Sequence, residues 1–266
     1  MTQSLSTSTD AVSPEYPDLV VPDISDLVIE DDTPVDNLIS EKQQRLLTEP
    51  LYSAQDLFKG RSFLASANVG VFYALRRPPL VPDVFLSLNV EPPQDFKEKK
   101  NRTYFVWEFG KPPDVVIEIV SNKEGNELGY KLTNYAQMGV TYYIVYDPLQ
   151  QLGQKLLYAF GLREGQYLEL ERLWLPQVGL GLTLWQGAFE EVQGEWLRWC
   201  DETGAVITTG AERAEQEHQR AEQEHQRAEQ EHQRAEAAER RVAELLQQMQ
   251  TMNIQPIAGL DEASER

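Results

Sequence analysis

The chain has 266 residues, enough for one large domain or two small ones around a buried core, and 41% of them are hydrophobic. Its formal net charge is −19, yet 1–41 holds ten acidic residues and no Lys or Arg, and 211–266 adds a further −6, so 42–210 keeps only −3. The ends are therefore poor surfaces for a polyanion while the centre is not, the single cysteine Cys200 excludes an intrachain disulfide, and no apolar run of about 18 residues spans a bilayer.

Residues 1–33 are rich in Ser, Thr, Pro and Asp without helical or strand periodicity, which predicts a disordered acidic leader. The start lacks the basic and apolar segments of a signal peptide, so a soluble cytoplasmic protein is expected. Pro34, Asp36 and the apolar positions Leu38, Ile39, Leu46, Leu47 and Leu51 predict a helix over 37–49. Short strands are expected at 61–66, 70–75 and 83–88, followed by a basic loop with Lys97, Lys99, Lys100 and Arg102, and a strand over TYFVWEF.

Two Pro-Asp steps, Pro82-Asp83 and Pro113-Asp114, precede strands. In the second strand, period two puts Asp114, Val116, Glu118 and Val120 on one face and Val115, Ile117 and Ile119 on the other. Glu is disfavoured in a VVIEIV run, and an unpaired charge there costs several kcal/mol, about 3–5 when a buried partner is missing. Glu118 therefore needs a metal ion, a lysine or solvent in a cleft. A helix over 127–138 with apolar positions Leu128, Leu132, Tyr135 and Ala136 ends at Gly139, and TYYIVYDP reads as a buried strand. Strand, helix, strand implies a crossover unit, and further strands at 155–160, 166–173 and 181–184 imply a mixed sheet, so the central domain is expected to be α/β or α+β over 34–208.

The heptad RAEQEHQ runs three times from Arg213 to Gln233. With Ala214 at a, the register continues through Ala235, Val242 and Met249, with Ala238, Leu245 and Met252 at d, while d is Glu217, Glu224 and Glu231 in the repeats. A long helix is expected over 209–253, solvated in its first half, with 235–252 able to pair with another helix as a coiled coil or homodimer, and a disordered tail over 254–266.

All three histidines, His218, His225 and His232, lie in that repeat, which removes His-based nucleophilic, acid–base and zinc chemistry from the central domain. One cysteine supports no Cys-rich metal site, and no GxxxxGK or GxGxxG loop occurs. Carboxylate and lysine chemistry remains. Asp83, Asp114 and Glu118 supply oxygens suited to Mg²⁺ or Mn²⁺, and Lys131 supplies a cation to orient a nucleophile and offset transition-state charge.

PPDVVIEIVSNKEGNELGYKLTNYAQMGVTYYIVYDP, with the upstream LVPDVFLSL, resembles the Uma2 family of endonucleases, and the resemblance extends over most of 34–205 through LWLPQVGLGLTLWQG and WLRWCDETG. It implies a restriction-endonuclease-like fold: a mixed sheet flanked by helices carrying a metal-dependent PD-(D/E)xK phosphodiesterase site. By this resemblance Asp83 is the first metal carboxylate, Glu118 the acid of the (D/E)xK element, and Asp114, at the family's second Pro-Asp step, a carboxylate that assists with the metal or with the neighbouring lysine. Val120 stands where the lysine is expected, so Lys131 is its migrated replacement, with Lys123 a lesser substitute. Glu41 matches the helical acid of some nucleases of this fold, and Tyr135, four residues after Lys131, braces the site or packs.

The expected activity is metal-dependent endonucleolytic hydrolysis of DNA, with Arg76, Arg77 and the basic loop as phosphate contacts. The alternatives are a catalytically inactive binding or assembly module on the same fold, or another phosphoryl hydrolase built on the same acids.

Overall fold

The computed structural model describes residues 23–24, 37–54, 57–122 and 126–252. The leader, the terminal tail and Lys123 lie essentially outside them. The chain divides between Ile207 and Thr208 into two units.

In the first unit, α1 (Leu38–Ser53) begins at Asn37, whose side chain accepts from the Ile39 and Ser40 amides, and it runs four residues beyond the expected end, with Pro50 in its last turn. Its buried stripe is Ser40, Gln43, Gln44, Leu46, Leu47, Pro50 and Leu51. Then come β1 (Phe63–Ala67), β2 (Val71–Phe72), β3 (Val84–Leu88) and β4 (Tyr104–Phe105). The predicted TYFVWEF strand is corrected here: after Phe105 the chain turns into the short helix α2 (Val106–Phe109), closed by Gly110 at φ 74°. Only Tyr104 and Phe105 find a partner strand, β2, so nothing extends the rest.

β5 (Val115–Ile119) leads through a widened helical turn, Glu127–Lys131, into α3 (Leu132–Met138) and back to β6 (Tyr142–Tyr146), parallel to β5. β7 (Leu157–Arg163) and β8 (Gln166–Glu169) complete a six-stranded mixed sheet of order β1-β3-β5-β6-β7-β8, in which only the β5–β6 pair is parallel. β9 (Trp174–Leu175), β10 (Leu180–Phe189) and β11 (Val192–Cys200) form a second, antiparallel sheet. The expected 181–184 strand is thus one arm of a long hairpin whose other arm, VQGEWLRWC, lacks regular alternation.

Alternation along β5 sorts the core. Val115, Ile117 and Ile119 pack with Leu47 and Leu51 of α1 and with Leu197 and Trp199 of β11. Gln43 fastens α1 to β11, donating to the Leu197 carbonyl at 2.7 Å and accepting from its amide at 3.0 Å. On the opposite face Val116 and Val120 pack with Phe85, Tyr104, Tyr135, Met138 and Tyr143. Each fully buried Leu or Phe contributes roughly 1.5–3 kcal/mol, so both layers are held firmly and the sheet between them is a rigid platform. This mixed α+β arrangement is consistent with a restriction-endonuclease-like fold.

The second unit is α4 (Gly210–Thr251), a 42-residue helix. Thr209 and Glu212 form a reciprocal capping box at its start. No described helix is long and apolar enough to cross a membrane.

Candidate active site

β3 and β5 pair antiparallel with Val84 opposite Ile117 and Phe85 opposite Val116. Continued one residue, that register sets Asp83 beside Glu118 at one end of the strand pair. Asp83 ends the 81–83 loop with its carboxylate turned to the sheet. Oδ2 accepts from the Ile119 amide at 2.7 Å and Oδ1 from Gln44 Nε2 at 2.9 Å.

Glu118 is only 1% exposed and projects from the middle of an apolar strand. Its partners come from the helix that follows. Lys131 Nζ donates to Oε2 at 2.9 Å, and the Tyr135 hydroxyl donates to Oε1 at 2.7 Å. Lys131 and Tyr135 are one helical turn apart and so reach one acceptor from the same side. The widened turn before them, in which the Lys131 amide donates to the Asn126 carbonyl five residues back, sets the helical phase from which they reach it. The Lys131 side chain is 26% exposed and is the cluster's opening to solvent.

Burial dominates the electrostatics. It raises the Glu118 carboxyl to about 8, the neighbouring Asp83 pushing the same way and Lys131 opposing. Asp83 is also raised, by burial against the Ile119 amide and the Lys131 charge. Burial alone would lower Lys131, but Glu118, Glu127 and Asp83 outweigh it and hold the ammonium above its ordinary value. Two adjacent carboxyls resist double ionisation while Lys131 stays charged.

Asp114 requires a correction. It does share a face of β5 with Glu118, but four residues along a strand amount to about 13 Å, and it sits at the far end. There its Oδ2 accepts from the Leu88 amide and pairs with Lys111, so it clamps β3 to β5 away from the cluster. Glu41 is likewise elsewhere: it pairs with Arg45 on the outer face of α1. The residue of α1 that meets the site is Gln44, one turn on, which also exchanges hydrogen bonds with Asn68. Its signal in the sequence was a polar side chain on the buried stripe of an amphipathic helix. The Asp of YDP, Asp147, is structural, accepting from the Gln151 and Leu152 amides. In the basic loop, Arg102 donates to the Phe96 and Lys97 carbonyls and Lys100 pairs with Glu98. Arg77 donates to Gln137.

A cleft of about 530 Å³ lies between the first turn of α1 at Leu38 and Ile39 and the segments that follow β5 and β6, at Val120, Ser121, Pro148 and Leu149; Asp83, Glu118 and Lys131 are not among its lining residues. The donors present suit a hard divalent cation: carboxylate oxygens without sulfur or imidazole, two of them side by side, leaving positions for the several waters that Mg²⁺ retains. Among the described residues no group of three or more His, Cys, Asp or Glu side chains is spaced to hold an ion.

A family model named Uma2, described as "Putative restriction endonuclease", matches residues 27–187. No curated protein matched the chain.

Proposed function

The chain belongs to the Uma2 family, and from that premise we propose that it is a divalent-metal-dependent endonuclease hydrolysing phosphodiester bonds in DNA. The observation that carries this reading is the salt bridge from Lys131 to Glu118 at 2.9 Å: it returns to the acid the cation that Val120 cannot supply two residues along the strand. Asp83 and Glu118 would hold Mg²⁺ or Mn²⁺, which lowers the pKa of a bound water and polarises the phosphoryl group. Gln44 and the Ile119 amide orient Asp83, and Tyr135 orients Glu118. Lys131, charged and partly open to solvent, donates to the attacking oxygen or to a phosphate oxygen, where a fixed donor is worth about 10²–10³ in rate. The nuclease unit is assigned to 34–208.

The test is cleavage of single- and double-stranded DNA in Mg²⁺ or Mn²⁺. Glu118→Ala is expected to lower the rate at least about a hundredfold, while Asp114→Asn stays within about twofold of the parent, because Asp114 stands clear of the cluster. Equal cutting by Glu118→Ala and the parent would falsify the site. No cutting by the parent, with no Asp83-dependent cation uptake, supports instead an inactive binding module.

The long helix is assigned to self-association. Val242, Leu245 and Leu246 are exposed on it and Met252 just past its end, and a parallel pairing with Ala235, Val242 and Met249 at a brings Arg234 at g opposite Glu239 at e of a second copy. In sedimentation velocity, Leu245→Glu is expected to convert a concentration-dependent dimer into a monomer. A parent that is monomeric at all concentrations removes the assignment.

A further inference from the structure

Glu127 belongs to no motif, yet its carboxylate is nearly as buried as that of Glu118, at 6% exposure. It opens the widened turn, and its backbone is pinned because the Tyr143 hydroxyl donates to the Glu127 carbonyl at 3.0 Å. Oε1 lies 3.6 Å from Lys131 Nζ, an ion pair too long for a hydrogen bond, and Oε2 has no hydrogen-bond donor among the described residues. A buried carboxylate oxygen without a donor is costly and, in a well-packed unit, calls for an explanation.

The ammonium supplies one. Lys131 Nζ has three protons, and its short hydrogen bond goes to Glu118 Oε2. Around it stand three carboxyl groups, Asp83, Glu118 and Glu127, and Lys131 is the cation paired with the two glutamates. A divalent ion held by Asp83 and Glu118 would compete with Lys131 for the Glu118 carboxylate and would repel the ammonium. Glu127 is the acceptor left, already on the same side and short of hydrogen-bonding distance by less than about 1 Å.

We propose that Glu127 is a positioning residue acting through Lys131: when a divalent cation occupies the Asp83–Glu118 pair, the ammonium moves its short hydrogen bond from Glu118 to Glu127. This rests on the reading of Asp83 and Glu118 as the cation-holding pair. The handover has two consequences. Loading costs less, because the displaced ammonium keeps an acceptor. Lys131 also stays at the mouth of the site instead of swinging into solvent, so the charge remains beside the phosphate. Glu127 is not a third ligand in this arrangement, since no three acidic side chains among the described residues are spaced for one ion.

A double-mutant cycle on the full chain, read by calorimetric titration with Mn²⁺, separates these roles. Glu127→Gln keeps the shape and removes the charge. With Lys131 present it is expected to lower Mn²⁺ affinity about tenfold, and in the Lys131→Met background by less than about twofold. The metal-free melting temperature of Glu127→Gln is expected to stay level or rise, because the ion pair it gives up is long and a buried carboxylate oxygen without a donor has gone, whereas a merely structural residue would lower it. An equal loss in both backgrounds overturns the inference, since Glu127 would then act on the ion without Lys131. An unchanged affinity in both also overturns it, and leaves the Asp83–Glu118 reading standing. A parent that takes up no Mn²⁺ overturns both together.

Discussion

Lys131→Met is expected to reduce metal-dependent DNA cleavage at least about a hundredfold while Mn²⁺ uptake stays within a few-fold of the parent. The ammonium is the charged donor on Glu118, at 2.9 Å, and it stands where the cluster opens to solvent. Removing it takes a fixed positive charge from the place where transition-state charge develops, but leaves the carboxylate pair to hold an ion. The metal-free protein is also expected to lose stability, because Glu118 and Glu127 lose their shared cation. Stripping one partner from a buried pair costs about 3 kcal/mol or more, which in a domain of this size lowers the melting temperature by roughly 6–12 °C. Lys131→Arg distinguishes the two effects. It keeps the charge and should recover most of the stability, yet its planar fork cannot reproduce a single short bond to Oε2, so cleavage should remain low. A Lys131→Met protein that cuts like the parent would show that the helical lysine is not the replacement for the one missing at Val120.

Stability of the metal-free protein is expected to fall as pH rises from about 5 to 9, relative to a Glu118→Gln variant. The sign follows from the direction of the shift. Burial raises the folded Glu118 carboxyl from an ordinary 4.5 to about 8, so the folded state favours the neutral form. Its contribution is fully present below about pH 4.5 and is lost as pH climbs through the folded value. At ~1.4 kcal/mol per unit, the span corresponds to an upper figure of roughly 5 kcal/mol. Glutamine mimics the neutral carboxyl, with the Tyr135 hydroxyl turning to suit the amide. The variant should therefore match the parent near pH 5 and exceed it near pH 9. Mg²⁺ or Mn²⁺ should close the gap at alkaline pH by stabilising the parent alone, and uptake near neutral pH should release protons, measurable by titration in two buffers of different ionisation enthalpy. Denaturation curves for the two proteins that run parallel from pH 5 to 9 would remove the raised Glu118 and the proton release expected from it.

Several features were legible before the structure. The VVIEIV run announced both a central strand and a carboxylate that needed a partner, and the helical spacing from Lys131 to Tyr135 placed two side chains on one face; the structure brings all three together. The parallel β5–β6 crossover follows from strand, helix, strand. The separation of Asp114 from Glu118 is also written in the sequence, because four strand residues amount to about 13 Å. Glu127 was harder to see. An acidic residue opening a helix ordinarily reads as a solvated cap residue, and only the packing around the widened turn buries it.

Composition and periodicity by themselves determined the chemistry available to this protein. With every histidine in the repeat and a single cysteine, the central domain is left with oxygen donors and lysine, and an acid inside an apolar strand is costly enough to mark its own importance. Register and long-range packing decided which acids act together. Two Pro-Asp steps look alike along the chain, but antiparallel pairing of β3 with β5 carries Asp83 to Glu118 and leaves Asp114 with Lys111. Gln44 reaches the same carboxylate from a helix 39 residues earlier. Local sequence reports a residue's face and its cost of burial. It does not report which distant side chain will meet it, because that contact exists only once the strands and helices have closed around the core.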